Sequence, residues 1–169
     1  MVTPLFFIPS PFFPAKRFLK IHIVLILFIL LCAIPKKASC GASVMNITVS
    51  RVIDGDTIVL EGGKRVRYAG IDTPEFGEPF YREAKKRNAS LVRGKKVKFV
   101  ACGEEPLDKH GRFLGWVYVD GTDVSAVLLK EGLARVLAIP PCGTKKAPEY
   151  KSFRDEAKSS GRGIWGIKK

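Results

Sequence analysis

Acidic and basic side chains flank short apolar segments in the middle of the chain. Asp56 begins one such segment, Arg67 lies inside the next, and Asp72, Thr73 and Glu75 follow it. Carboxylate and carbonyl oxygens are the ligands that hard cations such as Ca²⁺ and Mg²⁺ prefer. The pattern therefore indicates a cation site, with a further carboxylate that could position or deprotonate a water molecule.

A second arginine, Arg112, follows a turn at 108–111. Two guanidinium groups can hold a phosphate and stabilise the extra negative charge of its transition state. A cation, a base and two arginines are the parts needed for metal-assisted hydrolysis of a phosphodiester. Each part also has a simpler explanation, since Asp54-Gly55 is typical of a hairpin turn and Thr73-Pro74 could begin a helix. Only the combination of these carboxylates and arginines favours a catalytic site.

The segments around these residues predict the elements that position them. Alternating and β-branched runs predict five strands, over 44–53, 56–60, 65–71, 96–101 and 113–119. Helical spacing predicts three helices, over 78–92, 123–133 and 149–159. This order predicts an α+β fold that is mainly a β-barrel, of the closed five-stranded type that binds oligonucleotides (the OB-fold).

The first part of the chain has the pattern of a targeting segment. A basic cluster at 15–20 precedes an apolar run at 21–34 and small residues at 38–43. This order is typical of a secretory signal peptide, and cleavage after Ala42 is expected. An uncleaved anchor is the alternative, because the apolar run extends over 18–35 and approaches the length that spans a bilayer.

These patterns divide the chain into a signal or anchor at 1–42 and a folded domain at 43–169. The predicted location is therefore outside the cytoplasm, secreted or in the cell envelope. Contact with a membrane is expected only through 18–35, if the signal is not cleaved.

Composition narrows the class of partner. The 169 residues include 29 basic and 16 acidic side chains, a net charge of +13, and 46% of residues are hydrophobic. A disordered chain is excluded by the hydrophobic content, and a multi-span membrane protein by 27% charged residues. Residues 1–42 contain no acidic residue, so 43–169 keep a net charge of +8. A basic surface favours nucleic acid, anionic membrane or acidic glycans.

Two cysteines, Cys102 and Cys142, fall inside the predicted domain. Export would place them where a disulfide is permitted, and two buried free thiols are the alternative. Two cysteines alone cannot supply a four-ligand zinc site.

The combined motifs resemble the staphylococcal nuclease (thermonuclease) family. They are IDGDT at 53–57, Arg67, IDTPE at 71–75 and DKHGR at 108–112, and the resemblance covers 46–165. Further matching segments lie at 121–125, 132–134 and 163–165. The resemblance implies a five-stranded OB-fold barrel with three helices, in agreement with the predicted order of elements. It also implies that the regions of Cys102 and Cys142 lie near each other, which favours a disulfide.

The resemblance implies a metal site. Asp56 and Asp72 would bind one Ca²⁺ with the backbone carbonyl of Thr73, and Mg²⁺ or Mn²⁺ is less expected. A weak Ca²⁺ site is typical of extracellular modules, which agrees with export.

It also implies the catalytic groups. Glu75 would act on the attacking water, and Arg67 and Arg112 would hold the scissile phosphate. The implied activity is that of an endonuclease, expected as a monomer, that cleaves DNA and RNA at the 5′-oxygen and leaves 3′-phosphate ends. The alternative is an OB-fold module that binds nucleic acid without cleaving it.

The chain departs from the best-known member of the family in three places. The loop after Glu75 is shorter, His110 stands where that member has a tyrosine beside the second arginine, and 137–141 stand where it has tyrosines that flank the nucleotide. Stacking on aromatic rings strengthens binding of nucleobases, so these differences bear on substrate affinity and not on the catalytic set.

Overall fold

A computed structural model of the protein describes residues 43–104 and 106–167. The signal or anchor predicted at 1–42 lies outside these residues. The described strands are β1 Val44–Val52, β2 Thr57–Leu60, β3 Arg65–Tyr68, β4 Ile71–Asp72, β5 Lys96–Ala101, β6 Phe113–Val119, β7 Thr122–Asp123 and β8 Arg135–Val136. The described helices are α1 Tyr81–Val92, α2 Val124–Lys130 and α3 Ala147–Ser159, with a 3-10 turn at Gly163–Trp165.

Five of these strands form a closed barrel. Strand β1 pairs with β2 and β5, β2 pairs with β3, and β5 pairs with β6, all antiparallel. The parallel pairing of β3 with β6 closes the ring. The predicted α+β fold, a five-stranded OB-fold barrel with three helices, is confirmed.

Alternation along the strands builds the core. On β5, Lys96 and Lys98 are exposed while Val97 and Phe99 are buried, because successive side chains of a strand point to opposite faces. Apolar side chains from the other barrel strands fill the same core, among them Val49, Ile58, Leu60, Val66 and Val117. Among the described residues, no helix combines the length and apolar character needed to cross a membrane.

Strand β3 ends earlier than the sequence pattern predicts, and this break positions the site. The strand was expected to reach Ile71 but ends at Tyr68, because Gly70 has φ +88°, a conformation that interrupts an extended strand. The chain then forms the two-residue strand β4, which leaves the barrel and pairs with β8. As a result, Asp72 and Thr73 lie beside the start of β2.

The first helix begins later than the pattern predicts, whereas α3 begins at Ala147, two residues earlier than predicted. Phe80 has a left-handed conformation with φ 69°, so α1 begins at Tyr81 and not near Glu78. The alternative in which Thr73 and Pro74 begin a helix is wrong, because both residues precede α1 in an irregular segment.

Cys102 and Cys142 form a disulfide with a Cα–Cα distance of 5.8 Å. The alternative of two free thiols is therefore wrong for this structure. The bridge closes a loop of 40 residues. A crosslink of this span stabilises a fold by roughly 4 kcal/mol in the loop-entropy treatment.

Candidate active site

The buried carboxylate of Asp56 lies at one end of the barrel, at the start of β2. It is 5% exposed and accepts hydrogen bonds from the Thr73 N–H at 2.9 Å and the Thr73 hydroxyl at 3.0 Å. Gly55 allows this contact, since a Cβ at that position would meet the Thr73 Oγ1 at 2.6 Å. The Asp-Gly-Asp sequence is therefore more than a turn signal, because it lets β2 approach the segment after β4.

Arg67 joins the two predicted carboxylate ligands. Its Nη1 lies 2.8 Å from Asp56 Oδ2, and its Nη2 donates to Asp72 Oδ1 at 2.9 Å. Nη1 also donates to the carbonyl oxygens of Ile71 at 2.9 Å and Tyr68 at 3.2 Å. Arg67 is 9% exposed, so one buried guanidinium fixes the backbone of the β3–β4 break and both aspartates.

Burial and the charge of Arg67 have opposite effects on the pKa of Asp56. Burial raises its pKa to about 6, although Arg67 lowers the pKa and the nearby Asp54 raises it again. A buried carboxylate whose ionised form is disfavoured in this way is stabilised by an additional cation. Asp56 is therefore suited to hold a metal ion next to Arg67.

The donors near Asp56 fit a hard cation. No three His, Cys, Asp or Glu side chains of the described residues converge on one point, so Asp56 and Asp72 provide two carboxylates and the other ligands must be carbonyl or water oxygens. Asp72 has a side chain that is 41% exposed, which leaves it open to an incoming ion. Ca²⁺ accepts six to eight oxygen ligands of this mixed kind, from carboxylates, backbone carbonyls and water.

Arg112 is held in a different way, by the turn that precedes β6. Asp108 Oδ1 accepts hydrogen bonds from the backbone N–H groups of His110 at 2.8 Å and Arg112 at 2.9 Å. Asp108 Oδ2 accepts from the Arg112 Nε at 2.7 Å. Burial alone would raise the pKa of Asp108, but these hydrogen bonds outweigh it and lower the pKa. The carboxylate therefore stays ionised and fixes the arginine.

Thr57 connects Arg112 to the aspartate cluster. Its hydroxyl lies 3.2 Å from Asp56 Oδ1 and 3.5 Å from Arg112 Nη1. Both arginines also line one cleft of about 430 Å³. The cleft has basic and apolar walls, formed by Lys109, His110, Leu114, Leu137, Ile139, Pro140, Pro141 and other residues.

Glu75 stands apart from this network. It is exposed in the turn after β4, where its N–H donates to Glu78 Oε2 at 2.9 Å and its carbonyl accepts from the Glu78 N–H at 2.9 Å. Among the described residues, no hydrogen bond joins its side chain to the other predicted site residues. Its carboxylate is thus free to contact solvent or a ligand.

The structure therefore brings together most of the predicted set. Asp56, Arg67, Asp72 and Thr73 are in direct contact, and Arg112 is joined to them through one hydroxyl. Glu75 lies three residues beyond Asp72 in the chain, without direct contact.

Two residues that complete the network were not predicted. Thr57 adjoins Asp56 in the chain, and Asp108 precedes Arg112 by four residues, so both lie within the motifs that drew attention to their neighbours. A third, Asn88, is fully buried and donates to the Asp54 carbonyl at 3.0 Å. It fixes the β1–β2 loop from α1, and no local pattern reveals that contact.

The barrel and its cluster of aspartates and arginines define an OB-fold protein with a candidate site for a cation and a phosphate. Residues 65–166 match the family described as "Staphylococcal nuclease homologue". The chain belongs to this family.

Several characterised proteins are similar to it. Endonuclease YncB of Bacillus subtilis (strain 168) is 42% identical over 130 residues, which cover 72% of this chain and 62% of that protein. The SPbeta prophage-derived endonuclease YokF of the same strain is also 42% identical over 130 residues, covering 72% of this chain but 44% of that protein. Thermonuclease of Staphylococcus intermedius is 32% identical over 139 residues, which cover 77% of this chain and 82% of that protein. The chain thus spans less than two thirds of the two Bacillus relatives.

Proposed function

We propose that the protein is an exported, Ca²⁺-dependent endonuclease that hydrolyses phosphodiester bonds of DNA and RNA. Cleavage at the 5′-oxygen would leave 3′-phosphate ends. The observation that carries the proposal is the pairing of two carboxylates with one buried guanidinium, beside a second arginine on the same cleft. A module that only binds nucleic acid needs positive charge, whereas buried carboxylates facing a phosphate repel it unless a cation intervenes. The names of the similar proteins, which include endonucleases and a thermonuclease, support the same activity.

In this proposal Asp56, Asp72 and the carbonyl of Thr73 hold one Ca²⁺. The bound ion supplies positive charge that offsets the charge of the phosphate and its transition state. Arg67 keeps both carboxylates in place and adds its own positive charge at the same point. Because Asp56 is buried, it ionises most readily when a cation is bound.

Glu75 and Arg112 act on the reacting groups. Glu75 accepts a hydrogen bond or a proton from the attacking water, whose oxygen forms a bond to phosphorus as the bond to the 5′-oxygen breaks. Arg112 donates to the phosphate oxygens, and its Nη2 donates no hydrogen bond to the described residues, unlike its Nε and Nη1. Donors aimed at developing charge typically contribute a hundred- to thousandfold to turnover.

Export is the remaining part of the proposal. The apolar run at 21–34, preceded by a basic cluster, supports it. The Cys102–Cys142 disulfide supports it independently, because such bonds persist mainly in oxidising compartments. The net positive charge of 43–169 also suits nucleic-acid substrates, because these are polyanions.

The test is cleavage of 5′-labelled single-stranded DNA and of RNA by the purified protein, in Ca²⁺, in Mg²⁺ and in chelator. Cleavage in Ca²⁺ alone, with fragments whose mobility changes after phosphatase treatment of the 3′ end, is expected. Glu75→Gln should lower turnover at least a hundredfold, and Glu149→Gln, an exposed carboxylate on α3, is the matched control. Salt-sensitive binding without cleavage in any metal would contradict the proposal and identify a binding module instead.

A further inference from the structure

A short turn beside the candidate site exposes an aromatic ring. Phe76 is 86% exposed, more than any other large apolar side chain of the described residues. Glu75, the proposed base, is the preceding residue. A single exposed apolar side chain is common on protein surfaces and does not by itself indicate a binding site. The conformation of the turn and the surroundings of Phe76 provide the further evidence.

The turn holds Phe76 rigidly. The Glu78 N–H donates to the Glu75 carbonyl at 2.9 Å, and the Glu78 carboxylate accepts from the Glu75 N–H at 2.9 Å. Gly77 has φ +90°, which the third position of such a tight turn requires. The two hydrogen bonds thus restrain the backbone on both sides of Phe76, in a turn that Gly77 permits. A ligand that stacks on the ring would therefore cost little ordering of the loop.

A second aromatic ring supports the first. The Phe76 and Tyr81 ring centroids are 5.6 Å apart with an interplanar angle of 84°, an edge-to-face pair. Lys85 Nζ lies 5.9 Å from the Tyr81 ring centroid. Because Phe76 stays 86% exposed in this pair, most of its ring surface is open to solvent.

The adjoining cavity indicates the chemistry of the occupant. It has a volume of about 290 Å³ and is lined by Phe76, Gly77, Glu78, Tyr81, Arg82 and Glu83. Two carboxylates on its wall disfavour a phosphate in the cavity itself. A flat, neutral group with N–H donors fits better, because its face can stack on an aromatic ring while its amino groups donate to carboxylates.

We propose that Phe76, supported by Tyr81, is a stacking platform for one unpaired nucleobase of a single-stranded substrate. The proposal rests on the proposed nuclease function. Since Phe76 adjoins Glu75, the stacked base belongs to a nucleotide next to the scissile phosphate. Arg82 and Lys85 form no ion pair with the described residues and can follow the sugar-phosphate backbone. A base inside a duplex is already stacked and paired, so the platform favours single strands.

The first test measures stacking without catalysis. Phe76→Trp is titrated in chelator with a short single-stranded oligodeoxynucleotide and with the matching duplex, while anisotropy of the labelled DNA reports binding. We expect the single strand to quench the fluorescence of this variant more than that of wild type, which has only Trp116 and Trp165, along the same curve as the anisotropy, and the duplex to quench it less. Ile167→Trp, at another exposed apolar position, is the control and should not respond. Binding without any change in the indole at position 76 would overturn the proposal.

The second test measures affinity. Phe76→Ala should weaken single-strand binding roughly five- to 150-fold, the range typical of one stacked base, whereas Ile167→Ala should not. Oligonucleotides with one abasic site at successive positions should identify a position that weakens wild-type binding by the same factor and leaves Phe76→Ala unaffected. Equal affinities of wild type and Phe76→Ala would overturn the platform. If such a protein still cleaved DNA in Ca²⁺, the proposed function would stand without it, whereas a protein that cleaves nothing would refute the function itself.

Discussion

The two arginines of the cleft are held by different kinds of contact. Arg67 lies within the barrel wall, and its two terminal nitrogens are committed to Asp56, Asp72 and two backbone carbonyls. Arg112 follows a turn, and its Nε donates to Asp108. Its Nη1 and Nη2 remain largely free to donate to a ligand. A guanidinium whose terminal nitrogens contact carboxylates and carbonyls fixes those neighbours, whereas one bound mainly through its Nε can donate to a ligand. In the proposed function, Arg67 would therefore mainly assemble the cation site and Arg112 would mainly bind phosphate.

The largest effect is expected for Arg67→Ala. Removing this cation leaves Asp56 buried without its partner, and breaking a buried pair costs about 3–5 kcal/mol of the free energy of unfolding. Turnover should fall with it, and Ca²⁺ should restore part of the stability. Urea denaturation with and without Ca²⁺ checks this. A loss below about 1 kcal/mol would mean that Arg67 does not organise the cluster.

Arg112→Ala should separate activity from stability. Turnover should fall a hundred- to thousandfold, as for the loss of one donor to a transition state. The free energy of unfolding should fall by only about 1–2 kcal/mol, because Asp108 keeps two backbone N–H donors. Arg87→Ala, which removes an ion pair with Glu131 outside the cleft, is the control for both readouts. A rate within tenfold of wild type would contradict the assignment of Arg112 to the phosphate.

The affinity for Ca²⁺ should depend on pH through Asp56. Its pKa is raised to about 6, so protons compete with the ion below that pH and the affinity should fall up to tenfold per pH unit. Above pH 6 the carboxylate is ionised and the affinity should level off. Calorimetric titrations at pH 5, 6 and 7 measure this. Asp54→Asn removes a charge that raises the pKa, so it should move the midpoint to lower pH; an unchanged midpoint would remove Asp54 from the argument.

The smallest effect is expected for Thr57→Val, which keeps the shape of the side chain and removes the hydroxyl between Asp56 and Arg112. Turnover should fall severalfold, and stability by about 1 kcal/mol, the usual value of one hydrogen bond. Steady-state kinetics measures the effect, and Thr48→Val, at a half-buried threonine on β1, is the control. Equal rates for the two variants would show that the two arginines act without this link.

The sequence predicted the barrel because its strands obey a two-residue alternation, as on β5, where exposed lysines alternate with Val97 and Phe99. It could not predict the end of β3 at Tyr68, since the sequence shows Gly70 but not its left-handed backbone, and the strand that follows, β4, has only two residues. Segments of two residues carry no periodicity. The left-handed Phe80, which delays α1, likewise has no local sequence signature.

The candidate site was predictable in its residue types but not in its connections. Asp56, Arg67, Asp72 and Arg112 stand out because carboxylates and guanidinium groups in this order suit a cation and a phosphate. The bonds that Thr57, Asn88 and Asp108 make are tertiary or local contacts that follow only from the folded backbone. The disulfide was left open for the same reason, because pairing of Cys102 with Cys142 depends on how the loops meet.

In the proposed mechanism, Asp56 and Asp72 hold a cation while Glu75 remains free to act on water. Calorimetric titration of Ca²⁺ into wild type, Asp72→Asn and Glu75→Gln tests this most directly, with cleavage rates measured on the same preparations. The account predicts at least tenfold weaker Ca²⁺ binding for Asp72→Asn, and for Glu75→Gln nearly unchanged binding with turnover lost. Equal Ca²⁺ affinity in wild type and Asp72→Asn, or loss of binding in Glu75→Gln, would contradict it.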